Sequence, residues 1–236
     1  MALSLEKKTE LVRLTLEKRN VLPNVVMQVK SVMDVSGSIK RMFDDGTIQE
    51  LFDRLLAVAN RFDDNQTLES FAFSDECVRL SDITPSQFGS YVSSTFIKEA
   101  QQHSDLLWGG TNYGAALETI LTDMQPGKVS GFFKGLFGKK KEAPTSSNVP
   151  TYLLFVTDGD TSSESFAAKM LGDLADKNTF VQFIGVGNQS FSFLSEMDKL
   201  YSHVGFVTFP DLAHTSDQSM YEQLLTNKLA TWINKS

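Results

Sequence analysis

Three short strings carry the oxygen atoms through which this chain could do chemistry. Asp34, Ser36 and Ser38 form an Asp-x-Ser-x-Ser string at the end of the apolar run VVMQVKSVM. Thr111 lies in GGTN at 109–112, and Asp158 closes the strand-like LLFVT before GD. A carboxylate and two hydroxyls at alternate positions, just past a strand end, can converge on one hard cation. Magnesium suits such a set, because it takes oxygen ligands in near-octahedral geometry and keeps part of its water. Manganese accepts the same kind of donor. The same residue types also cap helices and shape turns. On that plainer reading Asp34, Ser36 and Ser38 start the first helix, Thr111 caps its own helix, and Asp158 sits in an Asp-Gly turn. Asp160 is a weaker candidate, shaping the loop or adding negative potential.

The elements around these strings must place them. Residues 25–33 read as a strand, almost continuously apolar, as a central strand covered on both faces should be. Gln28 and Lys30 interrupt the run, so one face is expected to be less covered there. A helical pattern runs from Thr47 to about Asn60, with Ile48, Leu51, Phe52, Leu55, Leu56 and Ala59 on one face. Thr47 with Glu50 reads as its capping box. LESFAFS is the next strand, with CVRL as a short edge strand beside it. Asp82, Thr84 and Pro85 open a second helix, and Tyr113 to Met124 form a third. Strand and helix then alternate: TYLLFVT, a helix over 163–177, TFVQFIGVG, a helix over 190–200, VGFVTF, and a closing helix over 219–234. This alternation predicts an α/β fold with a doubly wound, mostly parallel central sheet and helices on both faces. Ligands of such sheets lie beyond the carboxyl ends of the strands, where Asp34 and Asp158 both fall.

Residues 1–20 read as an N-terminal extension, in which LEKKTELVRLTLEKR fits a short amphipathic helix or an edge strand. Residues 21–236 form the domain, with a Gly/Lys/Phe-rich insertion at 126–150. There Phe132, Phe133, Leu136 and Phe137 stand beside Lys134, Lys139, Lys140 and Lys141. Such a stretch suits a weak contact with an anionic membrane or an acidic partner through 128–141. The plainer reading is a mobile surface loop.

The 41% apolar and 22% charged content fits a globular protein. A net charge of -7 argues against a general nucleic-acid surface. The single cysteine, Cys77, excludes an internal disulfide and reads as a small buried hydrophobe. The N-terminus meets charge within a few residues and lacks the apolar core of a secretory signal, so a cytoplasmic location is expected. His103, His203 and His214 lack zinc-site spacing. A metal-assisted phosphotransferase or hydrolase is the enzymatic alternative. It lacks a Gly-rich phosphate loop ending in Lys-Ser/Thr, and no His or Lys is placed as acid or base. A non-enzymatic chain is expected, either a binding module or the adaptor subunit of an ATP-driven complex.

DVSGS at 34–38, GGTN at 109–112 and TDGD at 157–160, in this order, resemble the three-part metal-ion-dependent adhesion site of von Willebrand factor type A domains. The resemblance covers roughly residues 21–235. FDDG at 43–46 is similar to bacterial members associated with tellurium resistance and general stress operons. The resemblance implies that Ser36, Ser38 and Thr111 touch Mg2+, or Mn2+ in its place, directly. It implies that Asp34 and Asp158 act often through water, and that a protein partner's Asp or Glu completes the shell. Neutral hydroxyls leave such an ion poorly neutralised, so an incoming carboxylate gains a charge-assisted contact.

Overall fold

The computed structural model describes residues 3–125 and 149–235. The surface contact expected through 128–141 lies outside the described residues. In chain order the elements are α1 (Leu5–Lys18), β1 (Gln28–Asp34), α2 (Lys40–Asp44), α3 (Thr47–Phe62), β2 (Leu68–Phe73), β3 (Cys77–Ile83), α4 (Ile97–Ala100) and α5 (Tyr113–Asp123). They continue as β4 (Thr151–Thr157), α6 (Glu164–Ala175), β5 (Thr179–Val186), α7 (Ser192–Leu200), β6 (Val204–Phe209), α8 (Asp217–Leu224) and α9 (Asn227–Ile233).

The strands form one six-stranded sheet in the order β3-β2-β1-β4-β5-β6. Every neighbouring pair is parallel except β2 with β3, which closes the edge as an antiparallel hairpin. The chain winds outward from β1 toward β3, then returns to lay β4 on β1's other side. The order therefore reverses between β1 and β4, the switch point whose strand-end crevice is where sheets of this kind hold their ligands. The α/β, doubly wound expectation holds, with helices on both faces. One face packs against α1, α3, α8 and α9, as the buried Val12, Leu16, Leu55, Tyr221 and Leu229 show. The other packs against α5, α6 and α7 through Tyr113, Leu117, Leu171 and Leu194. β4 and β5 are buried along their whole lengths, as parallel strands covered twice must be.

The first segment is a helix, α1, and its buried Val12 and Leu16 join the core shared with α3. Lys8, 1% exposed, pairs with Asp217 of α8 at 2.8 Å.

Several local expectations change. β1 begins at Gln28 rather than Val25, because the Met27 N–H is taken by the Phe62 carbonyl at 2.9 Å. Its Lys30 does not mark a less covered face: it is 3% exposed and paired with Glu69 and Asp123. Thr47 is not the cap of α3. The tight FDDG turn needs a left-handed residue, so Gly46 (φ 85°) takes the cap position. Thr47 falls inside the helix, its N–H held by Asp45 Oδ1 at 3.0 Å. The helix expected from Pro85 is a single 3-10 turn, Pro85–Gln87, followed by a π turn at Val92–Phe96. The closing helix divides at Leu225, which leaves helical geometry. Thr226 starts α9 by accepting the Leu229 N–H at 3.1 Å.

Candidate functional site

Asp34 is the last residue of β1, and Asp158 directly follows β4, the adjacent parallel strand. The pairing puts both carboxyls at the mouth of the crevice. In β1 the period-two alternation sends Lys30, Val32 and Asp34 toward the α5 face. Asp34 is fully buried. Its Oδ1 accepts the Ser36 N–H at 2.7 Å, and its Oδ2 accepts the Thr157 hydroxyl at 2.7 Å. Ser36 Oγ lies 3.2 Å from Ser38 Oγ, and Ser38 Oγ donates to Asp158 Oδ1 at 2.8 Å. Four of the five sequence-derived residues, Asp34, Ser36, Ser38 and Asp158, are thus joined in one chain of hydrogen bonds, the first through the Ser36 backbone N–H and the others between side-chain oxygens.

The loop that carries Thr111 is joined to the same strings through its backbone, with Thr111 itself engaged by its carbonyl. The Trp108 N–H donates to Val35 O at 2.7 Å, and the Gly37 N–H donates to Gly109 O at 3.2 Å. These bonds lash GGTN to DVSGS. On its other side the Thr111 carbonyl accepts the Ser162 N–H at 3.3 Å and the Thr161 hydroxyl at 3.2 Å. The three strings are therefore the three adjoining walls of one crevice. Two glycines let the middle wall lie close against the Asp75 side chain. An ideal Cβ on Gly109 would stand 2.8 Å from Asp75 Oδ2, and one on Gly110 would stand 2.5 Å from Asp75 Oδ1. Asp75 Oδ2 also accepts the Gly110 N–H at 2.8 Å.

Burial pushes the Asp34 carboxyl up to about 6, against the downward pull of its Ser36 and Thr157 hydrogen bonds. The nearby Asp158 adds to the rise. Burial also raises Asp158, which the Ser38 hydroxyl partly offsets. Among the described residues neither acid has a Lys or Arg partner. Two acids desolvated side by side without a cation favour holding a proton, or an ion. Every available donor here is oxygen, and the hydroxyls are free to turn from each other to a cation. The set fits a hard divalent ion. Among the described residues no group of three or more His, Cys, Asp or Glu side chains could hold one. An ion in this crevice would rest on two carboxylates and on hydroxyls.

The plainer alternatives can be compared with the geometry. No side chain caps α2, whose leading residue is Ile39, so Ser36 and Ser38 do not serve as its caps. Thr111 does not cap α5: Asn112 does, accepting the Ala115 N–H at 3.1 Å. Asp44 pairs with Lys40 at 2.7 Å, and Asp45 serves the FDDG turn. Asp160 is exposed on the rim. His203 is buried against the Leu171 carbonyl and His214 is exposed beside Asp211, both away from the crevice.

Sequence reasoning missed Thr157, Tyr113, Thr161, Ser163 and Asp75. Thr157 carried a usable signal, since it stands between a buried strand and the Asp. The pair of glycines signalled a close approach without saying by what. Trp108 was missed as well. It adopts φ 67°, and its half-buried ring lies 5.3 Å below the Lys40 ammonium at the crevice edge.

Known proteins resemble this chain to different depths. An uncharacterized protein of Bacillus subtilis (strain 168), YcbR, is 26% identical over 238 residues, spanning 99% of this chain and 87% of its own. Among solved structures, proximal thread matrix protein 1 from the mussel byssus superposes with a TM-score of 0.54 at 16% identity, over 87% of this chain. The match takes in 48% of that protein, about half its length. A second structure of it has a zinc-occupied MIDAS motif. Manganese-loaded TRAP protein of Plasmodium vivax gives a TM-score of 0.54 at 14% identity, over 88% of this chain and 75% of its own. At these identities the solved structures establish the fold alone. The family model described as vWA-TerF-like, the vWA found in the TerF C terminus, matches residues 26–236. The crevice between β1 and β4 is thus that of a von Willebrand factor type A fold, and the chain belongs to this vWA-TerF-like family.

Proposed function

We propose that the chain is a Mg2+-dependent protein-interaction module. The ion is assigned to Asp34, Ser36, Ser38, Thr111 and Asp158, with Mn2+ as an alternative occupant. The observation that carries the reading is the 2.8 Å contact of Ser38 Oγ with Asp158 Oδ1, which joins two strand-end strings 120 residues apart beside the buried Asp34. Bound there, the cation supplies an open position for a partner's Asp or Glu carboxylate. The chain's own residues hold that position at the crevice mouth, and Lys40, Trp108 and Asp160 border it. The zinc-occupied motif of the byssus protein and the manganese-loaded Plasmodium protein support a divalent cation as the occupant.

A non-catalytic role agrees with the family, whose members generally serve adhesion between proteins. We place this module in a bacterial tellurium-resistance or general stress-response setting in the cytoplasm, a reading that rests on the resemblance of the FDDG string and on the TerF-like family match. Among the described residues no helix is long and apolar enough to cross a membrane.

The test is calorimetric titration of the full chain with MgCl2 and MnCl2, beside Asp34→Ala, followed by capture of partners with Mg2+ or EDTA. The wild type should bind one ion, and Asp34→Ala should lose that binding while melting as a folded protein. Equal capture of the same partners by Asp34→Ala in EDTA sinks the reading.

A further inference from the structure

Two sets of hydrogen bonds behind the crevice reach the proposed ligands and their loops from residues that are not themselves proposed ligands. The first is a relay of hydroxyls. Tyr113 OH, on a fully buried side chain, lies 3.1 Å from Thr157 Oγ1 and also against the Gly159 carbonyl, its one proton shared between these two acceptors. Thr157 Oγ1 gives its only proton to Asp34 Oδ2 at 2.7 Å. With the Ser36 N–H on Oδ1, both Asp34 oxygens are fixed from behind, and the carboxyl plane cannot turn without breaking a buried bond.

The second set lies at the start of α5. A helix leaves its first N–H groups without internal partners. Here Asn112, the helix's own cap, serves the third, on Ala115. The first two are served by another loop. The Tyr113 N–H donates to Thr161 Oγ1 at 3.1 Å, and the Gly114 N–H donates to Ser163 Oγ at 3.0 Å. Thr161 Oγ1 also contacts the Thr111 carbonyl at 3.2 Å. The loop that carries Asp158 therefore caps the helix that follows Thr111.

We infer that Thr157, Tyr113 and Thr161 are positioning residues that bind three separate loops into one frame and so set the affinity of the cation site. The inference rests on the proposed cation site. Thr157 links the Asp158 strand to Asp34, and Thr161 links the Asp158 loop to Thr111. Tyr113 belongs to both links, its hydroxyl in the first and its N–H in the second. Without these links each loop would have to be ordered when the ion arrives, and that entropy would be subtracted from binding. Partners that orient metal ligands from behind commonly set affinity by about 10- to 100-fold.

The experiment titrates Mg2+ into the full-length wild type, Thr157→Val, Thr157→Ser, Tyr113→Phe, Thr161→Val and Asp34→Ala. Amide exchange at Tyr113 is measured in EDTA. Thr157→Val should bind Mg2+ about 10- to 100-fold more weakly, and Thr157→Ser, which keeps the donor, should restore most of the affinity. Thr161→Val should weaken binding and speed exchange of the Tyr113 amide with no ion present, a change that a merely space-filling role would not produce. Melting in EDTA checks that each variant is folded; if Thr157→Val is not, Tyr113→Phe and Thr161→Val carry the decision. Wild-type affinity in the folded Thr157, Tyr113 and Thr161 variants, with binding lost in Asp34→Ala, overturns the inference and leaves the cation site standing. Undiminished binding by Asp34→Ala removes the cation site, and the inference with it.

Discussion

At the scale of single residues, the crevice depends on positions where an atom is absent as much as on those where one is present. Gly110 lets its backbone approach the Asp75 carboxylate closely enough to donate to it. A methyl there would stand 2.5 Å from Asp75 Oδ1, so Gly110→Ala must displace either the loop or the acid. The lost hydrogen bond and the shift together should cost about 1–2 kcal/mol. The loop bearing Thr111 should move, weakening Mg2+ binding at the proposed site. Asp75→Ala removes the obstruction as well as the acceptor. Gly110→Ala should therefore cost less in that background than in the wild type, a coupling that a double-mutant cycle of urea midpoints reads directly. Strict additivity would mean that the two residues do not constrain each other.

At the scale of elements, strand ends deliver the acids, and a charged cluster fixes the helix that frames them. Lys30 of β1 pairs with Glu69 of β2 at 2.5 Å and with Asp123, the last residue of α5, at 3.0 Å. Arg79 of β3 joins both acids at 3.1 Å. Burial alone would raise the Asp123 carboxyl, but Lys30 and Arg79 outweigh it and hold the group below the usual aspartate range. A depressed folded value means that the unfolded chain binds the proton more readily. The stability from Asp123 is therefore complete above the unfolded aspartate value of about 3.9, and is lost as pH falls through the lower folded value. Lys30→Met should lower stability at neutral pH, because it leaves two largely buried acids sharing Arg79 alone. It should also flatten the acid limb of a stability curve from pH 5 to 2. An acid limb as steep as that of the wild type would contradict this account. The same cluster ties the far end of α5 to the sheet, while Thr161 and Ser163 hold its beginning beside the crevice.

At the scale of the whole molecule, the reversal of strand order between β1 and β4 creates the crevice, and two unequal helical layers keep the sheet rigid beneath it. α1 belongs to the larger layer. Leu16 is 1% exposed in the core shared with α3, and Asn60 of α3 donates to the Thr9 hydroxyl at 3.0 Å. Leu16→Ala should cost about 3 kcal/mol in urea denaturation, within the usual range for buried leucines. A cost below about 1 kcal/mol, the size of a surface substitution, would show that α1 is only loosely docked. Mg2+ affinity should change little in that variant, because α1 lies on the opposite face of the sheet from α5.

Much of this was legible in the sequence because the signals are local. Apolar runs separated by helical periods specify parallel strands with crossovers, and crossovers of one hand leave few ways to wind them. Asp34 and Asp158 could be placed at strand ends because both follow apolar runs directly. Local signals failed where a long-range contact competed: Lys30 looked like a gap in the cover because Glu69 and Asp123, its partners, are remote in sequence. Thr47 looked like a cap because the left-handed demand on Gly46 arises only once α2 and α3 are both formed. The sequence by itself determined the donor types, their order and the strand ends that carry them. Only the tertiary structure decided which oxygens meet, since the Ser38–Asp158 contact and the Thr157 hydroxyl behind Asp34 join segments that approach when β1 and β4 pair, and the two hydroxyls capping α5 reach it only once the helix packs beside the loop that follows β4.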